Sequence, residues 1–235
     1  MTFLGYKWNE QEFPLFRNFT LYSEIPKALQ ELVEINEKLI KIDIIGRSFE
    51  GRPLYLAILT DEKGMRCLDE YQKFMVQAVR DPDQALKALE KGVAQKVPVF
   101  INASIHGNEI TGTEGVLMLM EKLLSGEKDP EVQEILENIV ILINICANPD
   151  GRVKGMPWSN GVDLNRDYLT QSQPEIQAIV KHVAVRWFPS VVVDLHGYFG
   201  DQNITIDGCT LPHNPNYEYD LVGIPGIEEA KAMAD

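Results

Sequence analysis

Two histidines and one glutamate carry the strongest chemical signal in the chain. His106 and Glu109 stand close together in Pro98-Val-Phe-Ile-Asn-Ala-Ser-Ile-His106-Gly-Asn-Glu109, and His196 lies in Asp194-Leu-His196-Gly-Tyr198. One nitrogen from each imidazole and an oxygen from the carboxylate suit a divalent metal. Catalytic zinc takes three such protein ligands and keeps its fourth position for water. Taken singly, either histidine reads equally well as a structural group satisfied by a neighbour. The set of three, with glycines beside it at the ends of apolar runs, is what points to a metal. Asp163 and Asp194 are the carboxylates able to accept the other ring N–H and so fix a tautomer, although each reads as readily as an ordinary structural acid. His182 falls inside a helical pattern and reads as structural. His213, in Leu-Pro-His-Asn-Pro, reads as a surface group on a loop.

The elements that must position these groups follow from hydrophobic periodicity. Val97, Val99, Phe100 and Ile101 form a strand-like run that stops at His106, and from about Thr113 the spacing of Val116, Leu117, Met120, Leu123 and Leu124 is helical. His106 and Glu109 therefore occupy a strand-to-helix turn. The continuous apolar run 139–145 reads as a strand buried on both faces, ending at Asn148-Pro149-Asp150-Gly151, a chain-breaking turn. Residues 190–195 read as another buried strand, leading into His196. Ser23 is placed to cap a helix carrying Ile25, Leu29, Leu32, Val33 and Ile40. Segments 41–46 and 54–59 read as a hairpin closed by Arg47–Arg52, and helices with charged faces are expected over 61–96, Asp81-Pro82 opening one of them. Asp129-Pro130 opens a short helix. A longer one from about Pro174 presents Ile176, Ile179, Val180, Val183 and Trp187 and is ended by Pro189, and a final helix is expected over 228–234. Strands alternating with helices imply an α/β fold: one domain over 1–235, with a mixed, largely parallel sheet flanked by helices. The segments at His106, Asn148 and His196 each follow the C-terminal end of a strand, the rim where such sheets bind ligands.

Composition excludes several classes. The chain has 235 residues, 45% of them hydrophobic and 24% charged, which suits a globular fold with a sizeable core. A net charge of −13 argues against nucleic acid or an anionic membrane as partner. No apolar run approaches the length of a bilayer span, and the first ten residues lack the apolar core of a signal peptide. Cys67, Cys146 and Cys209 form no zinc-type pair and suit a reducing compartment, so a cytoplasmic location is expected.

Five motifs together resemble the zinc metallocarboxypeptidases of the carboxypeptidase A type: Gly46-Arg-Ser-Phe-Glu-Gly-Arg52, His106-Gly-Asn-Glu109, Asn148-Pro-Asp-Gly151, Gly161-Val-Asp-Leu-Asn-Arg166 and Asp194-Leu-His-Gly-Tyr198. They occur in the family's order and cover about residues 41–198. The resemblance implies that His106, Glu109 and His196 hold one zinc ion. It implies that Asn165 and Arg166 hold the substrate's terminal carboxylate, a role that fits a bidentate guanidinium fork, with Tyr198 beside them in substrate binding. An Arg that polarises the scissile carbonyl is expected between the Asn-Pro-Asp-Gly turn and the Asn-Arg pair. Met156 aligns there, leaving Arg152 or Lys154 as the basic residue available. The family's general-base Glu and the Tyr that covers the substrate are expected beyond Asp235, since Glu228 and Glu229 fall too close to His196 for the base. The chain then corresponds to the metal-binding and carboxylate-binding part of such an enzyme.

The activity implied is zinc-dependent hydrolysis of a C-terminal peptide or amide bond, on a substrate with a free carboxylate. Two other readings share part of the pattern. A zinc deacylase of the aspartoacylase and succinylglutamate desuccinylase type carries a similar His-Gly-Asn-Glu turn, but the Asn-Pro-Asp-Gly and Gly-Arg-Ser-x-Glu-Gly-Arg segments favour a peptidase. A non-catalytic zinc or carboxylate-binding relative would keep the ligands and lack the base.

Overall fold

The computed structural model describes residues 19–91 and 96–197, with a short antiparallel pairing of β1 (Thr2–Phe3) and β2 (Tyr6–Lys7) before them. Met1–Gly197 is one compact unit, and Tyr198–Asp235 lies outside the described residues. The expected helix at 228–234, His213, Tyr198, Glu228 and Glu229 therefore fall outside them too.

A short 3-10 turn, Tyr22–Glu24, leads into α1 (Ile25–Ile35). Glu24, and not Ser23, closes this end: its carboxylate accepts the Leu21 N–H at 2.8 Å. The helix stops at Ile35 because Asn36 is extended, and Ile40, expected on the helix, begins β3 (Ile40–Arg47). An apolar residue at that spacing satisfies either period, and burial against the sheet decided it. β4 (Pro53–Leu59) returns antiparallel to β3. Then come α2 (Glu62–Arg66), α3 (Leu68–Arg80) and α4 (Pro82–Glu90), the last capped by Asp81 through the Gln84 N–H. β5 (Val97–Ala103), α5 (Thr111–Ser125), α6 (Pro130–Asn138) and β6 (Ile139–Asn144) follow.

Asn148-Pro-Asp-Gly151 does more than break the chain: it starts α7 (Pro149–Lys154). Asn148 Oδ1 accepts the Gly151 N–H, Pro149 fills the first helical position, and Gly155 ends the helix at φ 65°. Downstream, α8 (Pro174–Ile179) passes through one π-helical segment, Val180–Ala184, into α9 (Val185–Trp187). The helix ends at Phe188, left-handed at φ 44°, one residue before Pro189 disfavours the helical conformation. β7 (Val191–Leu195) then joins the sheet.

The five strands are ordered β3-β4-β6-β5-β7, antiparallel through β3-β4-β6 and parallel through β6-β5-β7. Residues of one strand alternate between two apolar layers. Leu54, Leu56 and Ile58 of β4 with Val140 and Leu142 of β6 pack against Tyr71 of α3, Ile176 of α8 and Trp187. Ala57, Leu59, Ile141 and Ile143 pack against α1, α5 and α6. Coverage of both faces explains the unbroken apolar runs of β4 and β6. Among the described residues β7 pairs only with β5, and its Val191 and Val192 are 48% and 60% exposed.

Candidate metal centre

The parallel half of the sheet delivers the site. β5 ends at Ala103, and Ser104 turns the chain sharply with φ 53°, a left-handed conformation uncommon for a side chain larger than glycine. The turn is held from both ends: Ser104 Oγ donates to the Glu109 carbonyl at 2.8 Å, and Thr113 Oγ1 lies 3.0 Å from Ser104 Oγ and donates to the Ile145 carbonyl at 2.8 Å. Glu109 N–H donates to the His106 carbonyl at 3.0 Å, which brings both side chains to one side. His196 arrives from the end of the neighbouring strand β7.

The three side chains converge. Glu109 Oε1 is 2.9 Å from His106 Nδ1, and its Oε2 is 3.0 Å from His196 Nδ1. The imidazole centroids are 5.0 Å apart, tilted by 50°. One ligand atom from each residue lies within 4.8 Å of the others, and Glu109 is only 8% exposed. The donor set, two imidazoles and a carboxylate, is one that zinc accepts.

The outward-facing nitrogens are also held. His106 Nε2 is 3.3 Å from Asp163 Oδ1, and His196 Nε2 is 3.0 Å from Asp194 Oδ2. Each carboxylate stabilises the N–H on Nε2 and frees the Nδ1 lone pair toward the metal position, as outer partners of zinc-binding histidines do. Without an ion, the Asp194 carboxylate raises His196 to about 9 against the opposing effect of burial, with Glu109 adding to the rise. Metal binding must displace that proton.

Asp163 also connects His106 to the Asn-Arg pair. It caps the 3-10 turn Leu164–Arg166, its Oδ1 accepting the Asn165 N–H at 2.9 Å while facing His106. Arg166 is exposed, and its Nη1 donates only to the Asn165 carbonyl at 3.1 Å among the described residues, leaving the rest of the fork free.

Arg152 is placed elsewhere. Its guanidinium donates to the Thr20 carbonyl at 2.6 Å, to Glu114 Oε1 at 3.1 Å and to the Ile110 carbonyl at 3.4 Å, with its side chain 4% exposed. A fork so committed ties α7 to α5, and the role of carbonyl polariser is corrected on that ground. Lys154 Nζ is paired with Glu50, and the Met156 side chain is exposed. His182 sits half-buried in the π-helical segment, its basicity lowered by burial and by Arg186 and Lys181.

The positioning residues Ser104, Thr113, Asn102 and Asn144 escaped the sequence reading. A signal existed for the last two: each is the one amide in an apolar strand, four residues before His106 and Asn148 respectively.

A family model for zinc carboxypeptidases matches residues 25–203. The chain belongs to the zinc carboxypeptidase family. Zinc is the ion of that family, and His106, Glu109 and His196 form a donor set that fits it. Carboxypeptidase SOL1 of Arabidopsis thaliana is 27% identical over 207 residues, covering 83% of this chain and 36% of the plant protein. Human carboxypeptidase D is 36% identical over 107 residues, 40% of this chain and 8% of that protein. The chain thus spans a minor share of the relatives it matches. Solved structures share its fold: a metallo-carboxypeptidase from Burkholderia cenocepacia superposes with a TM-score of 0.56 at 22% identity, covering 75% of this chain and 40% of that one. Thrombin activatable fibrinolysis inhibitor gives 0.60 at 14% identity, covering 77% of this chain and 48% of that one.

Proposed function

We propose that this chain forms the metal-binding and carboxylate-binding part of a hydrolase that removes the C-terminal residue of a peptide. The observation that carries the reading is Asp163, whose single oxygen faces both His106 Nε2 and the Asn165 N–H, so that metal ligand and carboxylate anchor share one support. A substrate carboxylate pairs with the free Arg166 fork, and Asn165 adds a donor; the rigid link through Asp163 sets the distance from that anchor to the metal. Zinc, when bound, supplies a Lewis acid for the scissile carbonyl and the means to ionise water near neutral pH. His106 and His196 keep their protons on Nε2, against Asp163 and Asp194, through the whole cycle. Those two carboxylates are thereby occupied and do not serve as the proton acceptor.

The experiment compares binding of peptides with free and amidated C-termini by titration calorimetry on the zinc-loaded chain. Arg166→Met is expected to weaken binding of the free-acid peptide by about 10²-fold, the size of a charge-assisted bidentate contact of roughly 3 kcal/mol, and to leave the amide unaffected. Equal binding of the two peptides to the unsubstituted chain rules the proposal out.

A further inference from the structure

A polar rung crosses the sheet at the rim where the metal ligands emerge. Asn144 on β6, Asn102 on β5 and Asp194 on β7 are direct partners in the ladder, Asn102 opposite Asn144 on one side and Asp194 on the other. Asn144 Nδ2 donates to Asn102 Oδ1 at 2.8 Å, and Asn102 Nδ2 donates to Asp194 Oδ1 at 2.9 Å. The remaining oxygen, Asp194 Oδ2, is 3.0 Å from His196 Nε2. Asn144 and Asn102 are 0% and 1% exposed.

Two amides buried in an apolar sheet carry a desolvation cost that leucines there would avoid, and Asn144 Oδ1 has no partner among the described residues. The direction of the rung is not arbitrary. A carboxylate only accepts, so Asp194 requires the NH2 end of Asn102, which leaves the Asn102 oxygen for the NH2 of Asn144. Each group fixes the orientation of the next, and the series ends at a metal ligand. With Oδ1 held by Asn102, Asp194 keeps Oδ2 for the imidazole.

We propose that Asn102, oriented by Asn144, is a positioning residue that acts through Asp194 to hold His196 with its proton on Nε2 and its Nδ1 lone pair toward the ion. The proposal rests on reading His196 as a zinc ligand. The sheet, not a loop, then sets the angle of this imidazole, because the three side chains are locked to ladder register.

The test is a double-mutant cycle on zinc dissociation constants of the 235-residue chain, read by competition with a chelating indicator. Asn102→Leu is expected to weaken zinc about tenfold, the low end of the loss seen for outer partners of metal-binding histidines. Asp194→Ala is expected to lose at least as much. The double variant should bind zinc no more weakly than Asp194→Ala alone, because Asn102 acts only through that carboxylate. A merely structural amide would give losses that add. The visible spectrum of the cobalt-substituted chain should change in Asn102→Leu and match that of Asp194→Ala. If Asn102→Leu fails to fold, the isosteric Asn102→Asp replaces it; a carboxylate facing Asp194 should weaken zinc in the same direction near neutral pH. Independently of any variant, nitrogen NMR of the zinc-loaded chain should show His196 protonated on Nε2.

The outcomes separate cleanly. Unchanged zinc affinity in His196→Ala removes the metal reading itself. Tight binding that depends on His196, together with wild-type affinity in both Asn102 variants or additive losses in the cycle, overturns the positioning role alone.

Discussion

Gly107→Ala tests whether the metal turn is seated by direct contact of one backbone on another. A Cβ at Gly107 would lie 2.2 Å from the carbonyl carbon of Gly151, 2.3 Å from Arg152 N and 2.5 Å from Gly151 Cα. Carbon atoms in ordinary contact stand about 3.5–4.0 Å apart, so the turn and α7 must separate by roughly 1 Å. No side chain can swing away, because the obstacle is the main chain of a helix capped by Asn148. Forced overpacking costs about 1–3 kcal/mol. The bond from Gly107 N–H to the Pro157 carbonyl, at 3.3 Å, is lost as well, which adds about 1 kcal/mol. A combined loss of about 2–4 kcal/mol corresponds to a fall in Tm of roughly 5–15 °C for a chain of this size. Displacement of His106 by an appreciable fraction of 1 Å exceeds the tolerance of about 0.2 Å on a metal bond, so zinc affinity should fall by at least ~10-fold. Scanning calorimetry of the metal-free chain and a zinc competition assay read the two effects separately. Gly115→Ala is the control: nothing lies within 4 Å of its Cβ, on the exposed side of α5, and it should melt at or above the parental temperature. Parental Tm and parental zinc affinity in Gly107→Ala would refute the reasoning.

Asp167 offers a pH signature. Burial by itself raises its pKa, but bonds from Thr170 Oγ1, the Ser172 N–H and hydroxyl, and the Gln173 N–H outweigh this and pull it from 3.8 to about 2. A folded pKa below the unfolded one contributes stability that is complete above about pH 4 and lost as pH falls toward 2; Asp167→Asn should therefore cost about 2 kcal/mol at pH 6 in denaturant titrations and converge with the parent near pH 2. Arg152→Met leaves the partly buried Glu114 with only its bonds from Thr20 and should destabilise the chain by about 2 kcal/mol; zinc affinity is expected to stay at the parental value, and a large loss would return Arg152 to the metal site. Zinc at a hundredfold excess over its dissociation constant should stabilise the chain by about 2.7 kcal/mol by mass action, an increment that a chelator abolishes and that His106→Ala does not show.

The α/β character, the strands ending at His106 and His196, and the helix after Glu109 were all legible, because buried strands and amphipathic helices impose different periods on the same apolar residues. Asn148-Pro-Asp-Gly151 was legible as a boundary and not as a helix start, since Asn and Pro mark turns and helix N-termini alike. Ile40 was assigned to the wrong element because its spacing fits both periods. Arg152 was assigned by its place in the chain, whereas Thr20, Ile110 and Glu114, remote in sequence, determine where its guanidinium points.

What the sequence determined by itself is the inventory: two imidazoles and one carboxylate at strand ends, and an Asn-Arg pair downstream, in a fixed order. Those are local properties, carried by residue type and by a few neighbours along the chain. What only the tertiary structure decided is which partner each polar group takes. The turn at Ser104, the sharing of Asp163 between His106 and Asn165, and the rung from Asn144 through Asn102 to Asp194 all join residues on different elements. Parallel pairing of β5 with β6 and β7 creates the rung, because strand register aligns Asn144, Asn102 and Asp194, which the chain itself separates by dozens of residues.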